Sequence, residues 1–138
     1  MLSIVKDGEY IGYCGIKNTN HPVWEIVIEL LPEWTRHGIG YVTLSAMLNE
    51  MESRLGVTKY IVRIEPANLA SQKLFEKLGA RPCGITDLWF QEETTIKRCE
   101  EAGLHLIDDQ MIEVANKFHV EPRELLSHVL EYELIWGR

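Results

Sequence analysis

The stretch from residue 23 to residue 56 constrains the fold most. Residues 23–31, Val-Trp-Glu-Ile-Val-Ile-Glu-Leu-Leu, are rich in β-branched and aromatic side chains, which suit a pleated, half-buried surface. Pro32 cannot donate to a sheet ladder and stops the run. A short loop ends in His37-Gly38-Ile39-Gly40, and the spacing then changes: Leu44, Met47, Leu48, Met51 and Leu55 fall on one face of a helix, with Gly56 placed as its C-terminal cap. Residues 59–64 return to strand character. A strand, a glycine-bearing loop, a helix and a second strand form a crossover unit and predict a layered α/β architecture.

The flanking segments extend this unit. Apolar-rich runs at 2–6 and 9–16 flank Asp7-Gly8, a strong hairpin signal, and Asn18 to Pro22 form a turn cluster. Asn68 is placed to cap a second helix that runs to Leu78, with Gly79 just past its end, and residues 80–90 read as extended. The expected fold class is therefore α/β (α+β), a mixed sheet flanked by helices, in one domain of 138 residues. The last third predicts a helical segment: weakly amphipathic helix over 91–102, a helix capped by Asp108 or Asp109 through Phe118, and another begun by Pro122 with Leu125, Leu126, Val129 and Leu130 on its apolar face. Residues 132–136 read as a closing strand.

Several functions are disfavoured. No apolar run approaches the ~18 residues that span a bilayer, and residues 1–8 do not read as a signal peptide. A net charge of −7 opposes a broad nucleic-acid surface and permits a cationic partner. Cys14, Cys83 and Cys99 lie far apart without a C-x-x-C, so neither a disulfide framework nor a zinc site is expected. They read as small core residues in a reducing, cytoplasmic setting. Residues 111–130 faintly resemble a helix-turn-helix, with Ala115, Val120 and Leu125 at packing positions. Glu113, Glu121, Glu124 and Glu131 outnumber Lys117 and Arg123 there, which opposes contact with phosphates.

Two segments carry chemistry. The first is Arg36-His37-Gly38-Ile39-Gly40, between strand and helix. A helix N-terminus offers unspent N–H groups and a favourable dipole to a diphosphate, and glycine lets the backbone approach it. Taken alone, a short G-x-G also suits a plain strand-to-helix turn. The second is Asn68 to Ala80, which a capped helix with Leu74, Phe75 and Leu78 in the core explains except for Ser71. Glu25 and Glu29 are spaced to share one face of the strand before the loop. They serve either as acid–base groups or as solvated surface carboxylates.

Together the two segments resemble the GNAT superfamily of acetyl-coenzyme A-dependent N-acetyltransferases. Residues 32–40 are similar to its diphosphate loop, commonly Gln or Arg, two residues, Gly, one residue, then Gly or Ala, after a strand that ends in a proline turn. Residues 68–80 are similar to its second signature: Asn, two residues, Ser or Ala, two residues, Leu or Phe, Tyr or Phe, one residue, Lys or Arg, one residue, Gly, then Phe or Ala. The similarity covers about residues 8–90.

The resemblance implies that acetyl-CoA is the acyl donor and an amine of a small molecule or protein the acceptor. The main chain of Arg36, His37, Gly38, Ile39, Gly40 and Tyr41 would hold the diphosphate. Leu30 and Leu31 would pair with the pantetheine amides, Asn68 and Ser71 would lie near its thiol end, and Lys73 or Lys77 near the outer phosphates. Glu25 is the favoured base and Glu29 the second. No metal is expected, and a homodimer is compatible. Three departures stand out. Thr35 replaces the usual Gln or Arg. Phe75 replaces the Tyr that protonates the thiolate in many members, leaving Tyr10, Tyr13 and Tyr132 as substitutes. The usual N-terminal strand and two helices are missing from the pattern, and residues 91–130 are expected to cover that side. These departures keep a second reading open: a non-catalytic acyl-CoA-binding or regulatory protein.

Overall fold

Asp7 and Gly8 take φ of 53° and 78°. Two successive left-handed residues make the turn whose twist matches its flanking strands, so β1 (Leu2–Lys6) folds straight back as β2 (Glu9–Lys17). The register runs from Leu2↔Cys14 to Lys6↔Glu9 and slips between Ile4 and Val5, where a bulge forms. β3 (Trp24–Leu30) lies antiparallel on β2 from Gly12↔Leu30 to Lys17↔Glu25. Then follow α1 (Ile39–Leu55), β4 (Lys59–Ile64), α2 (Leu69–Lys77), β5 (Arg81–Asp87), α3 (Glu93–Gly103), α4 (Asp109–Phe118) and β6 (His128–Ile135). The computed structural model describes residues 1–35, 37–87 and 92–137, so Arg36 and part of the extended run expected over 80–90 lie outside the described residues. The six strands form one mixed sheet in the order β1-β2-β3-β4-β6-β5.

The chain divides into two compact units. The first comprises Met1–Val62, Ala70–Arg81 and Glu133–Arg138. Its core includes Ile11, Cys14, Ile26, Leu44, Leu48 and Phe75, all nearly fully buried. Leu44, Met47 and Leu48 sink the apolar face expected of α1, whereas Leu55 is 61% exposed. The last turn of α1 closes instead on Gly56 (φ 68°), whose N–H donates to Glu52 O. After β6, the Trp136 N–H donates to Thr58 O at 2.7 Å and its indole to Asn49 Oδ1 at 2.9 Å.

The second unit comprises Arg63–Leu69 and Pro82–Tyr132. Asp108 caps α4 by accepting from the Met111 N–H at 2.9 Å. Val114, Ala115 and Phe118 turn inward, and the Phe118 ring meets Tyr132 edge-on at 5.3 Å. Glu100 is buried but satisfied: Arg123 Nε lies 2.9 Å from one carboxylate oxygen and Ser127 Oγ donates to the other at 2.7 Å. The helix expected from Pro122 is a single 3₁₀ stretch, Pro122–Leu126, closed by a reciprocal Glu121–Glu124 capping box. Val129 and Leu130 belong to β6, so this region holds no recognition helix of a helix-turn-helix. Cys14 is core as expected, while Cys83 is exposed and Cys99 half-buried.

Candidate functional site

α1 begins directly after the loop that leaves β3. Its N-cap is Gly38, at φ 75° and ψ 0°, with no side-chain cap. Among the described residues, a Cβ at Gly38 would meet nothing within 4 Å. The first amide with an intrahelical acceptor is Val42, which donates to Gly38 O at 3.2 Å. The N–H groups of Ile39, Gly40 and Tyr41 therefore have no acceptor within the helix. No acidic residue stands in the first turn, so the positive dipole end is not neutralised. Gly40 is buried for a different reason: a Cβ there would lie 2.9 Å from Leu74 Cδ2 and 3.7 Å from Ile28 Cδ1. That close approach seats α1 on α2 and on β3.

β3 supplies a main-chain edge leading to this helix end. The Leu31 N–H donates to Ile11 O at 2.8 Å, which makes the odd-numbered residues of β3 those that exchange bonds with β2. The N–H and C=O of Ile28 and Leu30 then face the opposite edge. Among the described residues the parallel ladder there consists of Trp24↔Tyr60 and Glu25↔Ile61. Beyond Glu25 no further pair of this ladder forms among the described residues. Leu31 differs from the expectation: its N–H is taken by Ile11, and its C=O accepts from Trp34 at 2.8 Å. Ile28, which shares that edge with Leu30, was not singled out by the sequence.

The two candidate carboxylates share a face but not an environment. Glu25 is 3% exposed, accepts from Asn18 Nδ2 at 2.9 Å and pairs with Lys17 Nζ at 3.3 Å. Glu29 is exposed and accepts from the Tyr13 hydroxyl at 2.6 Å. That bond and the carboxylate's charge raise the Tyr13 pKa above the usual phenol value. Cys14 is no nucleophile, because burial raises its thiol pKa.

The remaining candidates lie on and around α2. Asn68 is exposed just before α2, its N–H donating to Glu65 O at 2.9 Å, and Ser71 is half-buried. Lys73 is exposed, whereas Lys77 holds its ammonium 4.6 Å from the Tyr41 ring centroid, in the first turn of α1. On the other side of the loop, His37 lies 5.9 Å from Trp34, whose ring also carries Lys6 at 5.7 Å. Among the described residues no group of three or more His, Cys, Asp and Glu could hold a metal, and no helix is long and apolar enough to cross a membrane.

A helix N-terminus capped by glycine, in the segment that follows a strand with an edge turned away from β2, suits a diphosphate joined to an extended amide arm, as in an acyl-coenzyme A. The family model of the acetyltransferase (GNAT) domain matches residues 1–81. The chain belongs to the GNAT acetyltransferase family. Solved structures agree on the fold. A ribosomal-protein-alanine N-acetyltransferase from Brucella melitensis is 18% identical with a TM-score of 0.61, over 96% of this chain and 66% of that one. A spermidine N-acetyltransferase SpeG chimera from Vibrio cholerae and hSSAT is 14% identical with a TM-score of 0.60, over 96% and 64%. Mycobacterium smegmatis RimJ, in complex with CoA-disulfide, is 15% identical with a TM-score of 0.64, over 97% and 51%. This GNAT chain thus spans less than two thirds of the length of each of these structures. No curated protein matches it with significance.

Proposed function

We propose that this GNAT protein transfers the acetyl group of acetyl-CoA to a primary amine, as a single cytoplasmic domain. The observations that support the reading are the main-chain groups of Ile28 and Leu30 on the β3 edge away from β2, and the amides of Ile39, Gly40 and Tyr41 that have no acceptor within α1. The amides would take the diphosphate, with His37 beside them and Lys77 rather than the outward Lys73 near the outer phosphates. The strand edge would pair with the pantetheine amides and aim the thioester along β3. The acceptor must arrive as a neutral amine, because an ammonium has no lone pair, and a β3 carboxylate would take its proton. A backbone N–H on the same edge would steady the oxyanion. The acidic balance of the chain, −7, favours an acceptor that is cationic in solution. Spermidine and a ribosomal-protein alanine, named in the descriptions of two of the structural neighbours, represent the small-molecule and protein classes, for which spermidine and an alanine-initiated peptide serve as probes.

Phe75 supports the second reading, a non-catalytic acyl-CoA binder, since it has no proton to give the thiolate. Thermal unfolding tests what both readings share. A ligand at a hundred times its dissociation constant stabilises by about 2.7 kcal/mol, so acetyl-CoA should raise the Tm by several degrees. An unchanged Tm at millimolar acetyl-CoA would refute both. A shift without thiol release in the presence of either amine would leave the binder alone standing.

A further inference from the structure

We propose that the turn between α3 and α4, residues 101–113, is a docking surface for a basic amphipathic segment of another protein. The charge of the chain is unevenly divided. Twelve of its 21 Asp and Glu but only five of its 14 Lys and Arg fall in Arg63–Leu69 and Pro82–Tyr132, so the second unit carries the whole net charge of −7 and the first is neutral. Three of those five cations are matched within the unit: Arg63 with Glu131, Lys97 with Glu93 and Arg123 with Glu100.

Residues 101–113 run from the last turn of α3 through a 3₁₀ turn, Leu104–Leu106, into the first turns of α4, and they contain no Lys or Arg. Leu104, Leu106 and Ile112 are 45%, 60% and 42% exposed. The core face of α4 is already supplied by Val114, Ala115 and Phe118, so these three side chains are surplus to it. Glu101, Asp109 and Glu113 are exposed among them, and their side chains make no ion pair or hydrogen bond among the described residues. The turn is held in place from within the unit. A Cβ at Gly103 would lie 3.4 Å from both Leu126 methyls, and Asp108 caps α4. A surface fixed in this way loses little freedom when a partner arrives.

Charge and apolar area together select the occupant. A nucleic acid or an anionic lipid surface would be repelled. A second copy would bring its own −7 unit against this one. A small polycation would meet the carboxylates and leave the leucines in water. A helical segment with apolar residues on one face and Lys or Arg along its borders satisfies both features. The surface does not depend on acetyl transfer and stands equally for a catalyst or a cofactor binder.

The test measures, by fluorescence anisotropy, binding to the full chain of a short labelled lysine–leucine peptide whose leucines share one helical face. That peptide should bind at least about tenfold more tightly than oligolysine of equal charge, and a glutamate–leucine peptide of the same pattern should not bind. Glu101→Lys with Glu113→Lys should weaken the peptide at least about tenfold, as should Leu106→Ser with Ile112→Ser, whereas Glu9→Lys in the exposed hairpin of the first unit should change it less than about twofold. Raising salt from about 50 to about 200 mM should weaken wild type severalfold and the charge-reversed variant little. All the altered residues are exposed, so each variant should keep its Tm within a few degrees and its response to acetyl-CoA unchanged. Failure of this surface is thereby separate from failure of the acetyl-CoA site. No binding, oligolysine bound as tightly as the amphipathic peptide, or binding that survives both double variants would each overturn the proposal. So would sedimentation showing a wild-type dimer that Leu106→Ser with Ile112→Ser dissolves, because the surface would then belong to a second copy.

Discussion

Gly38→Glu should abolish acetyl-CoA binding while leaving the protein folded. Gly38 sits at φ 75°, where a side chain costs about 1–2 kcal/mol. A carboxylate at a helix N-terminus recovers about 0.3–1 kcal/mol, so the unliganded Tm should fall by only a few degrees. Binding faces a much larger penalty. A Cβ at Gly38 meets no described atom within 4 Å, and the new carboxylate presents a negative charge where a diphosphate would sit. A loss of at least about a hundredfold in affinity, or about 2.7 kcal/mol, is expected by calorimetric titration. Retained affinity would mean that the nucleotide does not sit on this helix end.

Gly12→Ala should be the most destabilising single methyl in the first unit. A Cβ at Gly12 would run into the Glu29 carbonyl oxygen and lie 2.9 Å from Leu30 Cα. Both are backbone atoms, so no side chain can swing aside, and relief requires β2 and β3 to part. The contact sits beside the bulge at Ile4 and Val5 and on the Gly12↔Leu30 pair that begins the β2–β3 register. Overpacking of this kind costs about 1–3 kcal/mol. Because the obstruction is main chain, the upper end is expected, a fall in Tm of roughly 10 °C at the usual size scaling. Gly8→Ala gives the comparison, since its Cβ would meet nothing within 4 Å and only φ strain opposes it. If the Gly8 variant proved the less stable, the crowding argument would be wrong.

The first 87 residues were legible because their punctuation is local. Asp7-Gly8, Pro32, Gly38, Gly56 and Gly79 each mark a chain reversal or an element end by backbone geometry alone, and β4 falls on 59–64 as read from its composition. The closing strand was read late, because Pro122, Leu125, Leu126, Val129 and Leu130 fit helical spacing, and short apolar runs do not distinguish helix from strand. The alternation Leu130, Tyr132, Leu134, all fully buried, is the period-two signal that begins β6 at His128.

The glycine-bearing loop before α1 was legible for the same local reason. The strand edge was not, because whether Ile28 or Leu31 turns its main chain away from β2 depends on which bonds β2 takes. That register is set by a turn whose geometry the residues 18–23 do not spell out. Glu25 and Glu29 were equivalent by spacing. Only the residues opposite them, Lys17 and Tyr13, bury one in an ion pair and leave the other exposed beside a phenol.

The most direct test of the central claim is free-thiol release from acetyl-CoA, with mass spectrometry of the acceptor, using wild type and Gly38→Glu with spermidine and an alanine-initiated peptide. Thiol release matched by acetylated amine in the wild type, and lost in Gly38→Glu, is the predicted result. Tight acetyl-CoA binding with no acetylated product from either amine would contradict it.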